Sequence, residues 1–274
     1  MTPLATTKPD ALTPLATSYR CGMTRIALVT GATAGIGAEF ARQLAEQGFD
    51  LVLVARDRDR LNAKAAELSE TSGVSCEVLV ADLVSAVGLA AVEARLANRA
   101  HPVDMLVNNA GFGLPRPFHQ SSIADEQRQL DLLVAAPMRL SHAALAQMVP
   151  RRSGTIINIA SVAGFFPRGT YGAAKAWVLS FSRWANIHYR SNGVTVTAIA
   201  PGFVRTEFHQ RMNARTDTIP DALWLDAERV VRTGLKAAEK GKAVSIPSFR
   251  YKAIVWLSRW LPAPIMAAGK LRSR

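Results

Sequence analysis

Tyr171 and Lys175 are the residues in this sequence best suited to acid–base chemistry, because they stand four positions apart. At that spacing on a helix, two side chains project from the same face and can meet. A neighbouring ammonium group favours the tyrosinate, so we expect Lys175 to lower the pKa of Tyr171 from its reference value of about 10. A lowered pKa suits a general acid or base. A tyrosine and a lysine at this spacing, taken alone, are more often part of an exposed helix face. Whether Tyr171 and Lys175 are catalytic therefore depends on the rest of the chain.

Three glycines, Gly31, Gly35 and Gly37, lie between an apolar run and an amphipathic helical pattern in the stretch from Leu28 to Gly48. Where a strand leads into a helix, glycines let backbone N–H groups and the positive end of the helix approach a pyrophosphate. Tight packing of the strand against the helix would explain the same glycines. Their place after the first strand favours binding of a dinucleotide.

Seven short apolar runs alternate with segments of helical period. These elements must position the three glycines and the Tyr171–Lys175 pair. The runs cover residues 25–30, 50–55, 76–81, 103–108, 155–160, 194–200 and 242–247. Runs that are apolar on both faces and separated by helices are typical of a parallel sheet with a helical layer on each side. The sequence therefore predicts an α/β fold, a doubly wound, Rossmann-like, seven-stranded parallel sheet with helices on both faces.

The composition indicates one globular domain in a reducing compartment. The chain has 274 residues, of which 49% are hydrophobic, and this is enough for one large core. Its two cysteines, Cys21 and Cys76, and its five scattered histidines fit neither a disulfide framework nor a metal site. No uninterrupted apolar stretch of about 18 residues is present, so we expect a chain that does not span a membrane. These features predict a cytoplasmic protein without a bound metal.

The sequence divides into three parts. Residues 1–23 are rich in Thr, Pro and Ala and are predicted to be a disordered extension, unless translation starts at Met23 instead. Residues 24–248 form the predicted α/β domain, and residues 249–274 a basic, amphipathic C-terminal extension. The formal net charge is +12, and residues 228–274 hold eleven Lys or Arg against two Glu. Much of the excess charge therefore lies at the C-terminal end.

The C-terminal extension has a helical pattern up to Pro262. A cationic segment with tryptophans can lie in a membrane interface, so peripheral membrane contact is one interpretation. A helix that packs on the same domain, or that closes over the substrate or a second subunit, is the simpler one. The apolar stripe comprises Ile254, Trp256, Leu257, Trp260 and Leu261, and the nearby positive charges are Arg250, Lys252 and Arg259.

Six short motifs occur in a fixed order along the chain, and they include the glycine turn and the tyrosine–lysine pair. They are T-G-x-x-x-G-x-G at 30–37, Asp82 after the third run, N-N-A-G at 108–111, Ser161 after the fifth run, Y-G-A-A-K at 171–175 and P-G-F-V-R-T at 201–206. Over residues 24 to about 247 the chain resembles the short-chain dehydrogenase/reductase family. The resemblance implies an oxidoreductase that interconverts a carbonyl and an alcohol and that forms a homodimer or homotetramer.

The resemblance also implies roles for individual residues. Tyr171 exchanges a proton with the substrate oxygen while the nicotinamide exchanges a hydride with the carbon, Ser161 holds that oxygen, and Lys175 also holds the nicotinamide ribose. The remaining predicted cofactor contacts are Gly31, Thr33, Ala34, Gly35, Ile36, Gly37, Arg56, Asp82, Leu83, Asn109, Ala110, Gly111, Pro201, Gly202, Val204 and Thr206.

The residue after the second strand decides between the two nicotinamide cofactors. A carboxylate there binds the ribose hydroxyls of NAD, whereas an arginine pairs with the 2′-phosphate of NADP. Arg56 directly follows the strand, and Asp57 is explained as the cap of the next helix. The sequence therefore predicts NADP(H).

Two features depart from the family pattern. Leu133 stands where the family usually has an asparagine that shapes a helix kink and holds a water for proton relay. A relay needs contiguous donors and acceptors, so its path must differ here. Ser161 precedes Tyr171 by ten residues, a shorter spacing than is usual in the family, so the loop beside the substrate pocket is shortened.

The substrate is indicated only by residue type. Aromatic side chains in the loops after strands four to six suit an apolar or lipid-like carbonyl compound, although ordinary packing explains them as well, and residues 206–225 would form a lid over it. A catalytically weak, cofactor-binding interaction protein is the alternative function, motivated by Leu133 and the basic extension. Nucleic-acid binding explains the sequence less well. The aromatic residues are Phe112, Phe165, Phe166, Phe203, Phe208 and Trp224.

Overall fold

The main sheet has seven parallel strands in the part of the chain that the structure describes. The computed structural model describes residues 24–208, 219–258 and 260. The strands lie in the order β3-β2-β1-β4-β5-β6-β9. Their bounds are Arg25–Thr30 (β1), Phe49–Ala55 (β2), Cys76–Val80 (β3), Met105–Asn108 (β4), Gly154–Ile159 (β5), Val194–Ile199 (β6) and Val244–Ser245 (β9).

Helices connect these strands, and a separate two-stranded pair follows β6. The pair consists of Phe203–Val204 (β7) and Trp224–Leu225 (β8). The helices are Gly35–Glu46 (α1), Arg58–Ser72 (α2), Ala86–Ala97 (α3), Ile123–Leu130 (α4), Ala136–Arg151 (α5), Gly169–Tyr189 (α6), Ala227–Glu239 (α7) and Phe249–Ser258 (α8).

The core lies in two layers, one on each face of the sheet. Side chains from α1, α2, α7 and α8 bury one face, where Phe40 and Leu44 are among the most enclosed. Side chains from α3, α5 and α6 bury the other, around Leu140 and Met148. Because both faces are covered, most residues of these strands are apolar. The predicted doubly wound fold is confirmed.

Two strands begin two residues later than the apolar runs that predicted them. β4 begins at Met105 instead of residue 103, and β9 contains only Val244 and Ser245 instead of residues 242–247. β9 is an edge strand that pairs with β6 at two positions. Pro247 has no N–H with which to extend that ladder.

The strand order reverses direction between β1 and β4. The chain moves outward from β1 to β3 and then returns to place β4 on the other side of β1. Connections that diverge in this way leave a crevice at the carboxyl ends of the two central strands. Gly31 follows β1 and Asn109 follows β4, so both lie at this crevice.

The helical stretch Ile123–Arg151 is continuous and contains a π-turn at Asp131–Ala135. Pro137 follows the turn and has no N–H to donate to the carbonyl oxygen of Leu133, so it accounts for the disturbed helix. By length and composition this stretch could cross a membrane, but core helices of α/β proteins meet the same criterion. Its buried side packs on the sheet.

The C-terminal helix α8 packs on the domain through one face. Tyr251, Val255 and Ser258 are buried, whereas Trp256 and Leu257 on the opposite side are 62% and 53% exposed. One face of α8 therefore packs on the same domain, as the simpler interpretation of the sequence predicted. Residues 1–23, much of the predicted lid, and Arg259 and Leu261 lie outside the described residues.

Candidate active site

The turn between β1 and α1 depends on glycine at two positions. Gly35 has a φ of +54°, in the left-handed region that disfavours other residues. A Cβ on Gly37 would lie 2.2 Å from the carbonyl oxygen of Gly31 and 2.3 Å from Nδ2 of Asn109. The first turn of α1 therefore packs directly on the end of β1 and on the loop after β4.

The start of α1 is suited to an anion. Its N-cap is Ala34, which has no side-chain oxygen, and its first turn holds no acidic residue. Helices α2, α3 and α4, in contrast, are capped by Asp57, Ser85 and Ser122. N–H groups at an uncapped helix start can bind phosphate oxygens. This arrangement fits the pyrophosphate of a dinucleotide in contact with residues 31–37.

Thr30 and Asn109 join the carboxyl ends of β1 and β4. Oγ1 of Thr30 accepts the N–H groups of Asn109 and Ala110 at 2.9 and 3.1 Å. The amide of Asn109 donates to the carbonyl oxygens of Thr30 and Gly31 at 2.9 and 3.3 Å. The sequence prediction included Asn109 but not the role of Thr30, which needs the register of the two strands.

The segment after β6 forms a second wall of the same crevice. The carbonyl oxygen of Pro201 accepts the N–H of Val162 at 2.9 Å, next to Ser161. Further along, a Cβ on Gly35 would lie 3.1 Å from Cβ of Thr206. Val204 between them is buried. The fold thus brings the P-G-F-V-R-T motif against the glycine turn.

The residues after β2 and β3 lie next to each other at the edge of the crevice. Arg56 is exposed directly after β2, and Asp57 caps α2 by accepting the N–H of Arg60 at 3.1 Å, as the sequence predicted. After β3, the carboxylate of Asp82 accepts the N–H of Val84 at 3.1 Å, and Leu83 is buried.

Arg60 contacts the glycine turn, which the sequence analysis did not predict. Its guanidinium lies 3.4 Å from the carbonyl oxygen of Thr33 in the glycine turn and forms an ion pair with Glu207 at 3.1 Å.

Ser161, Tyr171 and Lys175 come together because the loop after β5 packs tightly on α6. A Cβ on Gly164 would lie 2.7 Å from the carbonyl carbon of Lys175. Ser161 and Tyr171 are hydrogen-bonded through their hydroxyls. Nζ of Lys175 lies 5.7 Å from the centre of the Tyr171 ring and donates to the carbonyl oxygen of Ile159 at 2.6 Å. The shortened loop therefore still joins the three predicted catalytic residues.

The expected lowering of the Tyr171 pKa is wrong for this structure. Burial raises the pKa of Tyr171 to about 12, and the hydrogen bond with Ser161 offsets only part of this effect. Burial also lowers the pKa of Lys175, which is 5% exposed, to about 8. Removal of both groups from water disfavours both charged forms, and this effect outweighs their mutual attraction. Tyr171 thus holds its proton at neutral pH.

A family model described as short chain dehydrogenase matches residues 25–217. The chain belongs to the short-chain dehydrogenase family. It is therefore an oxidoreductase with the Rossmann-like fold of that family, and the fold and recognition predictions are confirmed.

Among this dehydrogenase's relatives is sulfoacetaldehyde reductase 2 of Chromohalobacter salexigens, 35% identical over 74% of this chain and 82% of the relative. A short-chain dehydrogenase of Sphingobium yanoikuyae in complex with NADPH has a TM-score of 0.79 and 36% identity, over 86% of this chain and 94% of that one. The bulky-bulky ketone specific alcohol dehydrogenase of Comamonas testosteroni has a TM-score of 0.75 and 34% identity, over 86% and 92%.

Leu133 lies beside Gly111, one of the predicted cofactor contacts. It is 1% exposed. A Cβ on Gly111 would lie 3.0 Å from Cδ2 of Leu133 and 3.9 Å from Nζ of Lys175. A side chain at position 133 therefore lies near the predicted catalytic lysine, across Gly111.

A cavity of about 160 Å³ adjoins Tyr171. Its lining is more polar than the aromatic sequence pattern suggested, since it includes Arg116, Glu126, Gln129 and Arg168. Phe208 lies near Tyr171, with ring centres 6.2 Å apart. Most of the other predicted pocket aromatics pack elsewhere: Phe165, Phe166 and Phe203 against the core, and Trp224 against Phe203.

Proposed function

We propose that this chain is an NADP(H)-dependent oxidoreductase that interconverts a ketone or aldehyde and an alcohol. The observation that carries the proposal is the assembly of Tyr171, Ser161 and buried Lys175 next to a glycine turn and an uncapped helix start. A panel of aldehydes, ketones and alcohols, followed by the absorbance of NADPH, tests it. Turnover of at least one compound is expected, and no turnover across a broad panel would contradict the proposal.

Each of the three side chains has a distinct task. Tyr171 donates its proton to the carbonyl oxygen, which Ser161 holds by a hydrogen bond. Lys175 holds the nicotinamide ribose and stabilises negative charge that develops on the tyrosine. NADPH, when bound, supplies the hydride to the carbonyl carbon. Because the pKa of Tyr171 is about 12, the residue holds at neutral pH the proton that carbonyl reduction requires.

The cofactor is held by loops at the carboxyl ends of the strands. Residues 31–37 bind the pyrophosphate through backbone N–H groups, Arg56 pairs with the 2′-phosphate, and Asp82 and Leu83 contact the adenine. Residues 109–111 line the site from β4, and Pro201, Gly202, Val204 and Thr206 close it from β6.

Arg56→Ala is expected to weaken NADPH binding and leave NADH binding unchanged. A charge-assisted hydrogen bond contributes about 1.5 to 3 kcal/mol, so the NADPH dissociation constant rises roughly ten to a hundredfold. Fluorescence titration with both cofactors measures the effect. Arg58→Ala is the matched control, because it removes the same charge two residues away. An unchanged ratio of the two affinities in Arg56→Ala would refute the assignment.

The substrate that we propose is an apolar or lipid-like carbonyl compound. Phe208 beside Tyr171 and the likeness to an alcohol dehydrogenase specific for bulky ketones support an apolar group. The arginines and Glu126 around the cavity allow that compound a polar end.

Leu133→Asn is expected to preserve or raise the turnover rate. The new amide lies near Lys175 across Gly111, where it adds a donor and an acceptor to the proton path. Leu133→Ala is the control, since it opens the same space without an amide. Turnover is measured together with thermal unfolding, because a buried amide without partners costs about 1 to 3 kcal/mol. A stably folded asparagine variant with sharply reduced turnover would show that the site depends on leucine.

We also propose a homodimer or homotetramer in the cytoplasm. Large apolar side chains on α5 and α6 support self-association, since Met138, Trp184 and Ile187 are exposed.

Residues 24–248 form the functional domain, and residues 249–274 extend it.

Peripheral contact with an anionic membrane is the role that we propose for the outer face of α8 and for Trp260, which follows this helix. Trp256 and Trp260 are 62% and 75% exposed, and residues 240–274 hold no Asp or Glu. The double variant Trp256→Ser, Trp260→Ser is expected to lose most of its flotation with anionic liposomes at low salt. Trp184→Ser on α6 is the control. A wild-type protein that stays in solution and does not float with the liposomes would contradict this contact. Equal flotation of all three proteins would also contradict it.

A further inference from the structure

Tyr251 on α8 contacts the segment before the predicted lid and the last part of the lid itself. Its hydroxyl accepts the N–H of Phe203 at 3.1 Å and donates to the carbonyl oxygen of Leu223 at 2.7 Å. Phe203 begins β7, and Leu223 directly precedes β8. One buried hydroxyl therefore bridges the two chain segments that form the β7–β8 pair. Burial raises the pKa of Tyr251, so the hydroxyl keeps the proton that it donates.

The ring of Tyr251 packs on the segment that closes the cofactor site. A Cβ on Gly202 would lie 1.9 Å from Cζ of Tyr251, so this glycine is what allows the ring to approach the backbone. Thr206, four residues later, packs against Gly35. Tyr251 thus packs on Gly202, at the start of the segment in which Thr206 contacts the glycine turn.

A second contact from α8 reinforces this arrangement. The guanidinium of Arg250 donates a hydrogen bond to the carbonyl oxygen of Ala222, next to Leu223. Tyr251 itself is 5% exposed and belongs to the core cluster that includes Val204 and Leu225. Arg250 and Tyr251 of α8 therefore contact residues at or next to both short strands, β7 and β8.

We infer that Tyr251 is a positioning residue for cofactor binding. By fixing Gly202 and Phe203, it holds residues 202–206 against the glycine turn, and α8 becomes part of the cofactor site although it follows the last strand of the sheet. Without the hydroxyl, Phe203 N–H and Leu223 C=O lose their shared partner and β7 shifts away from Gly35. Tyr251 does not itself contact the cofactor or the substrate.

The inference rests on the proposed NADP(H) site, so NADPH is titrated first into the wild-type full chain and then into Tyr251→Phe. We expect the phenylalanine variant to bind NADPH about tenfold more weakly, the scale of one or two backbone hydrogen bonds. At saturating NADPH, its turnover rate stays within about twofold of wild type. Tyr189→Phe on α6 is the matched control and should bind NADPH as the wild type does.

The possible outcomes separate the two claims. Failure of the wild type to bind NADPH would overturn the proposed function. Normal NADPH affinity in Tyr251→Phe, even with a lower unfolding temperature, would assign Tyr251 a merely structural role and overturn the inference alone. Hydrogen exchange in wild type provides a test that does not depend on the variant folding. The Phe203 amide should be protected, and exchange at the rate of an open loop would contradict the bridge.

Discussion

Tyr171→Phe is expected to lower the turnover rate by roughly a hundred to ten thousandfold and to leave NADPH affinity nearly unchanged. The substitution removes only the hydroxyl that donates the proton. The ring keeps its neighbours, since Phe208 and the Lys175 ammonium lie 6.2 and 5.7 Å from its centre. Steady-state rates with the most reactive carbonyl of the panel measure the first effect, and fluorescence titration with NADPH the second.

Tyr189→Phe is the control for this experiment, because it makes the same chemical change at the far end of α6. It should retain the wild-type rate. A Tyr171→Phe protein that keeps more than a tenth of the wild-type rate would argue against Tyr171 as the proton donor.

Lys175→Met is expected to reduce turnover and NADPH affinity together and to change how stability depends on pH. In the folded protein the pKa of Lys175 is about 8, below its ordinary value of 10.5. Below pH 8 the lysine is protonated in both the folded and the unfolded chain, and burial of the charge destabilises the fold. Above pH 10.5 both states are neutral and this cost is absent. The free energy of unfolding of the wild type therefore contains a term that rises with pH between these two values.

The methionine variant lacks this term. A shift of this size corresponds to about 3 kcal/mol, so the stability of the variant relative to wild type should fall by that amount between pH 8 and 10.5. Denaturant unfolding of both cofactor-free proteins at several pH values measures the difference. A difference that does not vary with pH would mean that Lys175 titrates normally in the folded chain.

The sheet and the order of the motifs were predictable from local patterns. Apolar runs bounded by helical segments located all seven strands to within two residues at most ends, because each run is buried on both faces. The glycine turn was predictable for the same reason, since Gly31 follows one run and Gly37 lies in the first turn of the next helix. Asp57 as a helix cap followed from its position before α2.

Other features of the site depend on contacts between distant parts of the chain. The pKa of Tyr171 is raised because the loop after β5 and the neighbouring elements exclude water, and spacing along one helix does not report this. Thr30 bridges two strands that are adjacent only after the chain crosses over the sheet. The tail pattern predicted a helix, but the hydrogen bonds of Tyr251 to β7 and to the residue before β8 required the folded positions of all three segments.

The central claim is that this chain transfers a hydride from NADPH to a carbonyl carbon while Tyr171 supplies the proton. It is tested most directly with NADPH deuterated at both positions of nicotinamide C4, with the wild type, Tyr171→Phe and a ketone that the panel identifies. Mass spectrometry of the product should show alcohol with one deuterium on the carbinol carbon in the wild-type reaction, and almost none formed by the phenylalanine variant in the same time. Alcohol without deuterium, or deuterated alcohol formed equally by both proteins, would contradict the claim.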